Sequence, residues 1–203
     1  MSRKTGQFGK LSEEASECRL CPRMADQPAV LSLRNGSLGT DILFVAEAPG
    51  RFGAGRTGIP FTGDRSGENF DLLLKHAGLA RTQIFITNAV LCNPLDAGKN
   101  ARPTAREIHN CSYYLRSILE LIQPRLVVTL GGVGLLALNH LLGTRYRLDT
   151  NAAKPLETKK FILLPLYHPS PRVANWRRPL NRQKKDFRKI VHILENLSRP
   201  NPC

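Results

Sequence analysis

ILFVAEAPGRFGAGRTGIPFTGDRSG, Ile42 to Gly67, is the stretch whose reading sets the fold class of this chain. An apolar run of Ile, Leu, Phe and Val, closed by Pro49 and Gly50, predicts a buried strand with Glu47 at its carboxyl end. Open α/β sheets bind ligands at that edge. In the loop that follows, Gly53, Gly55, Gly58 and Gly63 let backbone approach a ligand closely. Phe61 offers a flat face to a planar ring, and Asp64 offers a carboxylate just ahead of a helix. Taken alone, the segment also reads as a surface loop whose glycines merely turn the chain.

The flanking sequence repeats the same pattern. Ser66 to Ala77 puts Phe70, Leu73, Leu74 and Ala77 on one stripe, an amphipathic helix that Gly78 can end. Ile84 to Asn88 is a second strand, and Cys92 to Pro103 a connecting loop. Thr104 and Glu107 form a capping box ahead of a helix running to about Leu121. Leu126 to Leu130 is a third strand, followed by Gly131, Gly132 and a helix from about Val133 to Leu142. GGVG lacks the full G-x-G-x-x-G pattern and no P-loop occurs, so neither a dinucleotide nor a P-loop nucleotide site is expected. Gly143 to Lys160 reads as a polar excursion and Phe161 to Leu164 as a fourth strand, leading through Pro165 to Tyr167, His168, Pro169 and Ser170. Upstream, Ser12 to Met24 reads as a short helix capped by Ser12 and ended by Pro22, with Pro28 to Gly39 as a connector turning at Asn35 and Gly36. Alternating strands and helices predict an α/β fold with a central, mainly parallel four-stranded sheet covered on both faces.

Three of the four strands end in polar residues: Glu47, Asn88, and His168 with Ser170. In a parallel sheet these ends share one edge, so residues distant in sequence converge there beside Phe61. Each also has an ordinary structural reading, as a turn cap, a satisfied histidine or a surface ion pair.

With 203 residues the chain suits one domain with a single sizeable core. A formal net charge of +14 implies an anionic partner, nucleic acid ahead of acidic lipid. The opening MSRKTGQFGKLS has no apolar core of a signal peptide, and Leu126 to Leu142 is too interrupted to span a membrane, so a soluble intracellular protein is expected. From Arg172 to Lys189 eight Lys or Arg residues face one acid, Asp186, while Phe187, Ile190, Val191, Leu194 and Leu197 keep helical spacing. That predicts a terminal helix packed by its apolar stripe with its basic residues turned outward.

Five cysteines point to thiols or metal ligands rather than a disulfide framework. The Cys18 and Cys21 C-x-x-C pair, with Cys92 and Cys111 far downstream, can supply four soft ligands to zinc or an iron-sulfur cluster. The second C-x-x-C of a zinc ribbon is missing, which turns the spacing toward iron-sulfur. The alternative makes Cys111 a helix-core thiol and leaves Cys92 unpaired. Cys203 reads as a bystander.

AEAPG at Ala46 to Gly50, PFTGDRSG at Pro60 to Gly67, ITNAVLCNP at Ile86 to Pro94, the Cys111 helix and HPS at His168 to Ser170 together resemble the iron-sulfur uracil-DNA glycosylases. Glu47 within AEAPG is similar to family four, whereas GRTGIPFTGDRSG and TNAV are closer to family five, in which the FTGD aspartate is implicated in catalysis. The segment after HPS matches neither ending. The resemblance implies a single three-layer α/β/α glycosylase domain over residues 1–203, its N-terminal segment tied in by a 4Fe-4S cluster on Cys18, Cys21, Cys92 and Cys111. It further implies hydrolysis of the N-glycosidic bond of uracil in single- or double-stranded DNA after base flipping, by a cytoplasmic monomer. In that scheme Phe61 stacks on the base, Asn88 and the backbone around Ala48 read it, and His168 stabilises its departure. Asp64 or Glu47 orients water or stabilises the sugar, Ser170 meets a phosphate, and Arg172 intercalates or binds phosphate. Excision of hypoxanthine or xanthine, or DNA binding without excision, are the competing readings.

Overall fold

The computed structural model describes residues 3–198; Cys203 lies outside them. Helix α1 (Arg3–Glu17) and two 3-10 turns, Pro22–Met24 and Leu33–Asn35, lead into strand β1 (Ile42–Ala46), the short helix α2 (Ala54–Thr57) and helix α3 (Arg65–His76). A third 3-10 turn, Arg81–Gln83, precedes β2 (Ile84–Asn88), a hairpin of β3 (Leu95–Asp96) and β4 (Lys99–Asn100), and helix α4 (Ala105–Ile122). The chain continues through β5 (Leu126–Leu130), α5 (Gly132–Leu142), α6 (Leu148–Asn151), β6 (Leu156–Glu157), β7 (Ile162–Leu166), α7 (Pro171–Trp176) and α8 (Leu180–Ser198).

The central sheet runs β2-β1-β5-β7-β6, with every pairing parallel except that of β6 with β7. Leu43, Val45, Phe85, Val127 and Leu163 face a core built with α1, α4 and α5. Ile42, Phe44, Ile84, Ile86, Val128 and Leu164 face a second core built with α3 and α8. Burial on both faces explains why β1 is a continuous apolar run and β5 is broken only by the buried Thr129, rather than either alternating. The register Ala46↔Asn88 and Leu130↔Leu166 brings the carboxyl ends of four strands to one edge. From β1 the chain crosses to β2 on one side, and from β5 to β7 on the other. The crevice between the ends of β1 and β5 is therefore the topological switch point.

Several elements depart from the sequence reading. The sheet has five strands, not four, because β6 and helix α6 lie in the polar 143–160 stretch. The two residues of β6 are held by pairing with Ile162 and Leu163 and show no apolar alternation of their own. Strand β7 extends through Pro165 to Leu166 instead of stopping at Leu164; its outer neighbour pairs only at Ile162 and Leu163, so no ladder bond to β6 is lost at the proline. The 92–103 loop contains the β3–β4 hairpin. Helix α1 starts at Arg3, well before Ser12, because Phe8, Leu11 and Ala15 form one buried face and Phe8 meets Phe85 edge-on at 5.6 Å. Ser12 sits inside that helix and donates its hydroxyl to the Leu31 carbonyl, while Pro22 opens a 3-10 turn instead of ending a helix. At the other end, Phe187 and Ile190 are fully buried, but the stripe fades and Leu197 is exposed. Among the described residues no helix is long and apolar enough to cross a membrane.

Candidate active site

A cleft of about 600 Å³ opens at the switch point, lined by Glu47, Ala48, Phe61, Asp64, Asn88, His168, Ser170 and Arg172, whereas Gly53, Gly55, Gly58 and Gly63 of the glycine-rich loop do not line it. The end of β1 is locked to that of β2 by Ala89 N–H donating to Ala46 O (2.9 Å) and Val90 N–H to Glu47 O (3.2 Å). Asn88 is buried, and its side-chain nitrogen finds no acceptor among the described residues. Leaving such a donor unmatched costs about 1–3 kcal/mol, a cost that a ligand carbonyl in the cleft removes. Burial pushes the Glu47 carboxyl above its ordinary value against the opposing charge of Arg102.

Phe61 has φ +51°, an uncommon conformation for a residue other than glycine, and such strain persists where surrounding contacts over-determine it. Those contacts are visible. Its ring stacks on Phe70 at 4.5 Å and 16°, and lies 5.5 Å from the His168 ring. Arg81, paired with Asp71 at 2.7 Å, donates to both Pro60 O (2.8 Å) and Phe61 O (2.6 Å). The guanidinium thus clamps the turn that presents the ring.

Asp64 is the N-cap of α3: its Oδ1 accepts from Gly67 N–H at 2.9 Å. Its Oδ2 packs over the glycine-rich loop, so closely that a Cβ on Gly53 would lie 2.5 Å from it. One oxygen is committed to the helix, while the other edge of the carboxylate borders the cleft. The Glu47 carboxylate by contrast has no hydrogen bond or ion pair among the described residues. The two carboxylates therefore differ in freedom, one held by a cap and one loose.

His168 Nδ1 accepts from Ser170 N–H at 3.1 Å, so in the neutral ring Nε2 carries the proton. Burial holds its pKa down to about 4, with the negative charge of Asp64 pulling the other way. The ring is thus a neutral donor at physiological pH. Gly131, at φ +93°, passes close beneath it: a Cβ there would touch the His168 Cβ at 3.4 Å. Asn69 on α3 donates to Pro169 O at 2.7 Å and ties the His-Pro-Ser turn to the same helix that Asp64 caps. Ser170 starts α7 but makes no side-chain cap bond. Arg172 and Val173 on that helix and Arg177 just past its end line the cleft, and Ala174 is buried. The buried Asp186 of α8 takes Arg178 in two bonds of 2.6 and 2.8 Å, which anchors the segment joining α7 to α8.

Cys18, Cys21, Cys92 and Cys111 line a separate cavity with Met24, Leu91 and Tyr114. Burial pushes Cys92 up to about 11 and Cys111 up to about 12, with the neighbouring cysteines adding to the effect. Such thiols give up their protons only to a cationic group bound among them. Two N–H groups already face sulfur: Leu91 N–H to Cys111 Sγ at 3.3 Å and Asn110 Nδ2 to Cys21 Sγ at 3.5 Å, the outer-sphere pattern that suits thiolate ligands. Among the described residues no three ligating side chains close around a single ion. The donor set, four thiols lining one apolar cavity, is of the soft kind that sulfur-ligated metal groups take. Glu107 closes the cavity from α4. It accepts two 2.7 Å bonds from Arg23 and one from Thr104 N–H, and its pKa is lowered to about 2, chiefly by Arg23. This pair holds the Cys21 turn against α4.

The sequence reading did not pick out Arg81, Asn69, Tyr167, Arg177 or the Arg23–Glu107 pair. Glu107 carried a signal as the capping-box acid. Asn69, Arg81 and Arg23 act through partners up to 100 positions away, and Tyr167 and Arg177 are known only from where the fold puts them, lining the cleft.

The uracil DNA glycosylase superfamily model matches residues 33–195. The chain is similar to a type-4 uracil-DNA glycosylase of Thermotoga maritima, 32% identical over 85% of this chain and 86% of that protein. It is likewise similar to a type-5 uracil-DNA glycosylase of Pyrobaculum aerophilum, 34% identical over 78% of this chain and 80% of the relative. A type-4 enzyme of Sulfurisphaera tokodaii is 30% identical over 91% and 83%. Both types are thus represented, as the mixture of motifs implies. The chain belongs to the uracil DNA glycosylase superfamily.

Proposed function

We propose that this member of the superfamily is a monofunctional uracil-DNA glycosylase of base-excision repair, hydrolysing the N-glycosidic bond of a uracil flipped into the switch-point cleft. The observation that carries the reading is the orphaned, buried amide donor of Asn88 in a cleft shared with the Phe61 ring and the neutral His168. A planar base with carbonyl edges satisfies all three. Flipping costs about a few kcal/mol, which the basic surface offsets through phosphate contacts.

Phe61 stacks on the extruded base, and Asn88 with the backbone at Ala48 reads its polar edge. As the bond to the sugar breaks, negative charge collects on the departing base and positive charge on the sugar. His168 donates from Nε2 to the base without having to gain a proton. Asp64, fixed by its cap, sets negative charge beside the sugar, and Glu47 holds the attacking water. Ser170 and Arg172 take flanking phosphates.

Cys18, Cys21, Cys92 and Cys111 would hold a 4Fe-4S cluster. Hydrolysis of this bond transfers no electrons, so what the cluster supplies when bound is a tie between the N-terminal segment, the loop at Cys92 and α4. In this reading residues 1–203 act as one domain, and the enzyme is a cytoplasmic monomer acting on DNA.

The test is alkali-induced cleavage of labelled DNA carrying one uracil, hypoxanthine or xanthine, by the wild type and Asn88→Ala. Cleavage at uracil that Asn88→Ala abolishes supports the reading. Cleavage only at hypoxanthine or xanthine moves the substrate to those bases. No cleavage by a folded, DNA-binding protein leaves the non-catalytic reading.

A further inference from the structure

Trp176, at the end of α7, is 84% exposed and is the chain's single tryptophan. A large indole left in water beside a cleft calls for a partner. Its helix is held firmly: Ala174 is buried, Gln183 Nε2 donates to Arg178 O at 2.7 Å, and Arg178 is bound to Asp186. Trp176 follows Arg172 by one helical turn, and Arg172, Val173 and Arg177 all line the cleft. The indole therefore stands at the cleft's lip on a rigid mount, among exposed arginines.

The other lip carries a counterpart. Phe52 in the glycine-rich loop is 61% exposed, with the Arg51 guanidinium 4.2 Å over its ring. Gly50 and Ala54 on either side of it line the cleft. Arg51 is tied to the β3–β4 turn by its bond to Gly98 O and by its N–H to Asn100 at 2.9 Å. These lips follow β1 and β7, which flank β5 in the sheet, so two strand spacings, about 10 Å, separate their roots. A ring under a guanidinium on one side of the cleft, facing an exposed indole on an arginine-bearing helix on the other, is an arrangement suited to gripping unstacked nucleotides.

We infer that Trp176 and Phe52 are stacking platforms for the bases on either side of the extruded nucleotide, and that the cleft takes its substrate from single-stranded DNA in preference to duplex. The inference rests on the cleft being the DNA site proposed above. In duplex DNA the flanking bases already stack on their neighbours, and the platforms gain less.

Intrinsic fluorescence reads the proposal directly, because it comes from Trp176 without a competing indole. Adding a uracil-free single-stranded oligonucleotide at fixed salt should quench it, with less quenching by the matched duplex. By anisotropy of a labelled strand, Trp176→Ala and Phe52→Ala should each bind single-stranded DNA roughly 5- to 100-fold more weakly. Trp176→Phe should recover most of the loss. Both side chains are exposed, so the melting temperature should not move. On uracil-containing single strands KM should rise with kcat retained. An unquenched tryptophan, or wild-type affinity in Trp176→Ala, overturns the proposal, and equal losses on duplex and single strand overturn the strand preference. Quenching needs no excision: quenching without uracil release would fault the assigned activity alone, and release without quenching would fault this inference alone.

Discussion

Asp64 is asked to do two things, cap α3 and place negative charge in the cleft, and two substitutions separate them. Asn caps a helix about as well as Asp, so Asp64→Asn keeps the bond from Gly67 N–H and removes only the charge. Asp64→Ala loses both. Loss of an N-cap costs about 1 kcal/mol, which in a chain of this size lowers the melting temperature by roughly 2–4 °C. The charge is worth more. A carboxylate about 5 Å from a developing sugar cation, at an effective dielectric near 20, contributes about 3 kcal/mol, or roughly a 100-fold change in rate. Single-turnover excision and thermal melting of both variants give the answer. Asp64→Asn should melt with the wild type and lose roughly 100-fold in rate; Asp64→Ala should lose the same rate and also melt lower. A fully active Asp64→Asn would refute the electrostatic role and leave Asp64 as a helix cap.

Gly53→Ala pushes a methyl to 2.5 Å from Asp64 Oδ2, so it should displace the carboxylate while leaving its charge and reproduce part of the Asp64→Asn rate loss, measured by the same single-turnover assay. His168, with a folded pKa of about 4 against an ordinary value near 6.5, stays neutral across physiological pH. The unfolded chain takes up its proton first as pH falls. The stabilisation is therefore complete above 6.5 and is lost toward pH 4, by at most about 3 kcal/mol, seen by urea melts of wild type against His168→Asn. The acid limb of the rate should belong to Glu47, lying above the ordinary carboxyl value and disappearing in Glu47→Gln in a pH–rate series. Glu107→Gln weakens the hold of Arg23 on the Cys21 turn; visible absorption of protein purified without oxygen should fade faster under chelator than in the wild type, with excision per folded molecule little changed.

Much of this architecture was legible in the sequence for a simple physical reason. Strands buried on both faces write themselves as nearly continuous apolar runs: β1 is unbroken, β5 is interrupted only by the buried Thr129, and β2 opens on Ile-Phe-Ile. The box of Thr104 and Glu107 announced α4 because capping is local chemistry. What stayed hidden was non-local. Strand β6 exists by pairing with β7, not by its own pattern, and α1 is stabilised by burying Phe8 against Phe85 despite Gly6 and Gly9 in its first half. The cleft residues were visible because strand ends in a parallel sheet must meet. The residues that aim them were not. Arg81 and Asn69 reach loops distant in sequence, and Asp64's commitment to its cap required coordinates.

The most direct test of the central claim is the identity and amount of the base set free. DNA carrying one uracil is incubated with excess enzyme, and free uracil and abasic sites are both counted. The account predicts one free uracil for each abasic site formed, falling together in His168→Asn and Asn88→Ala while both variants stay folded. Abasic sites without free uracil, or uracil release that survives both substitutions, would contradict it.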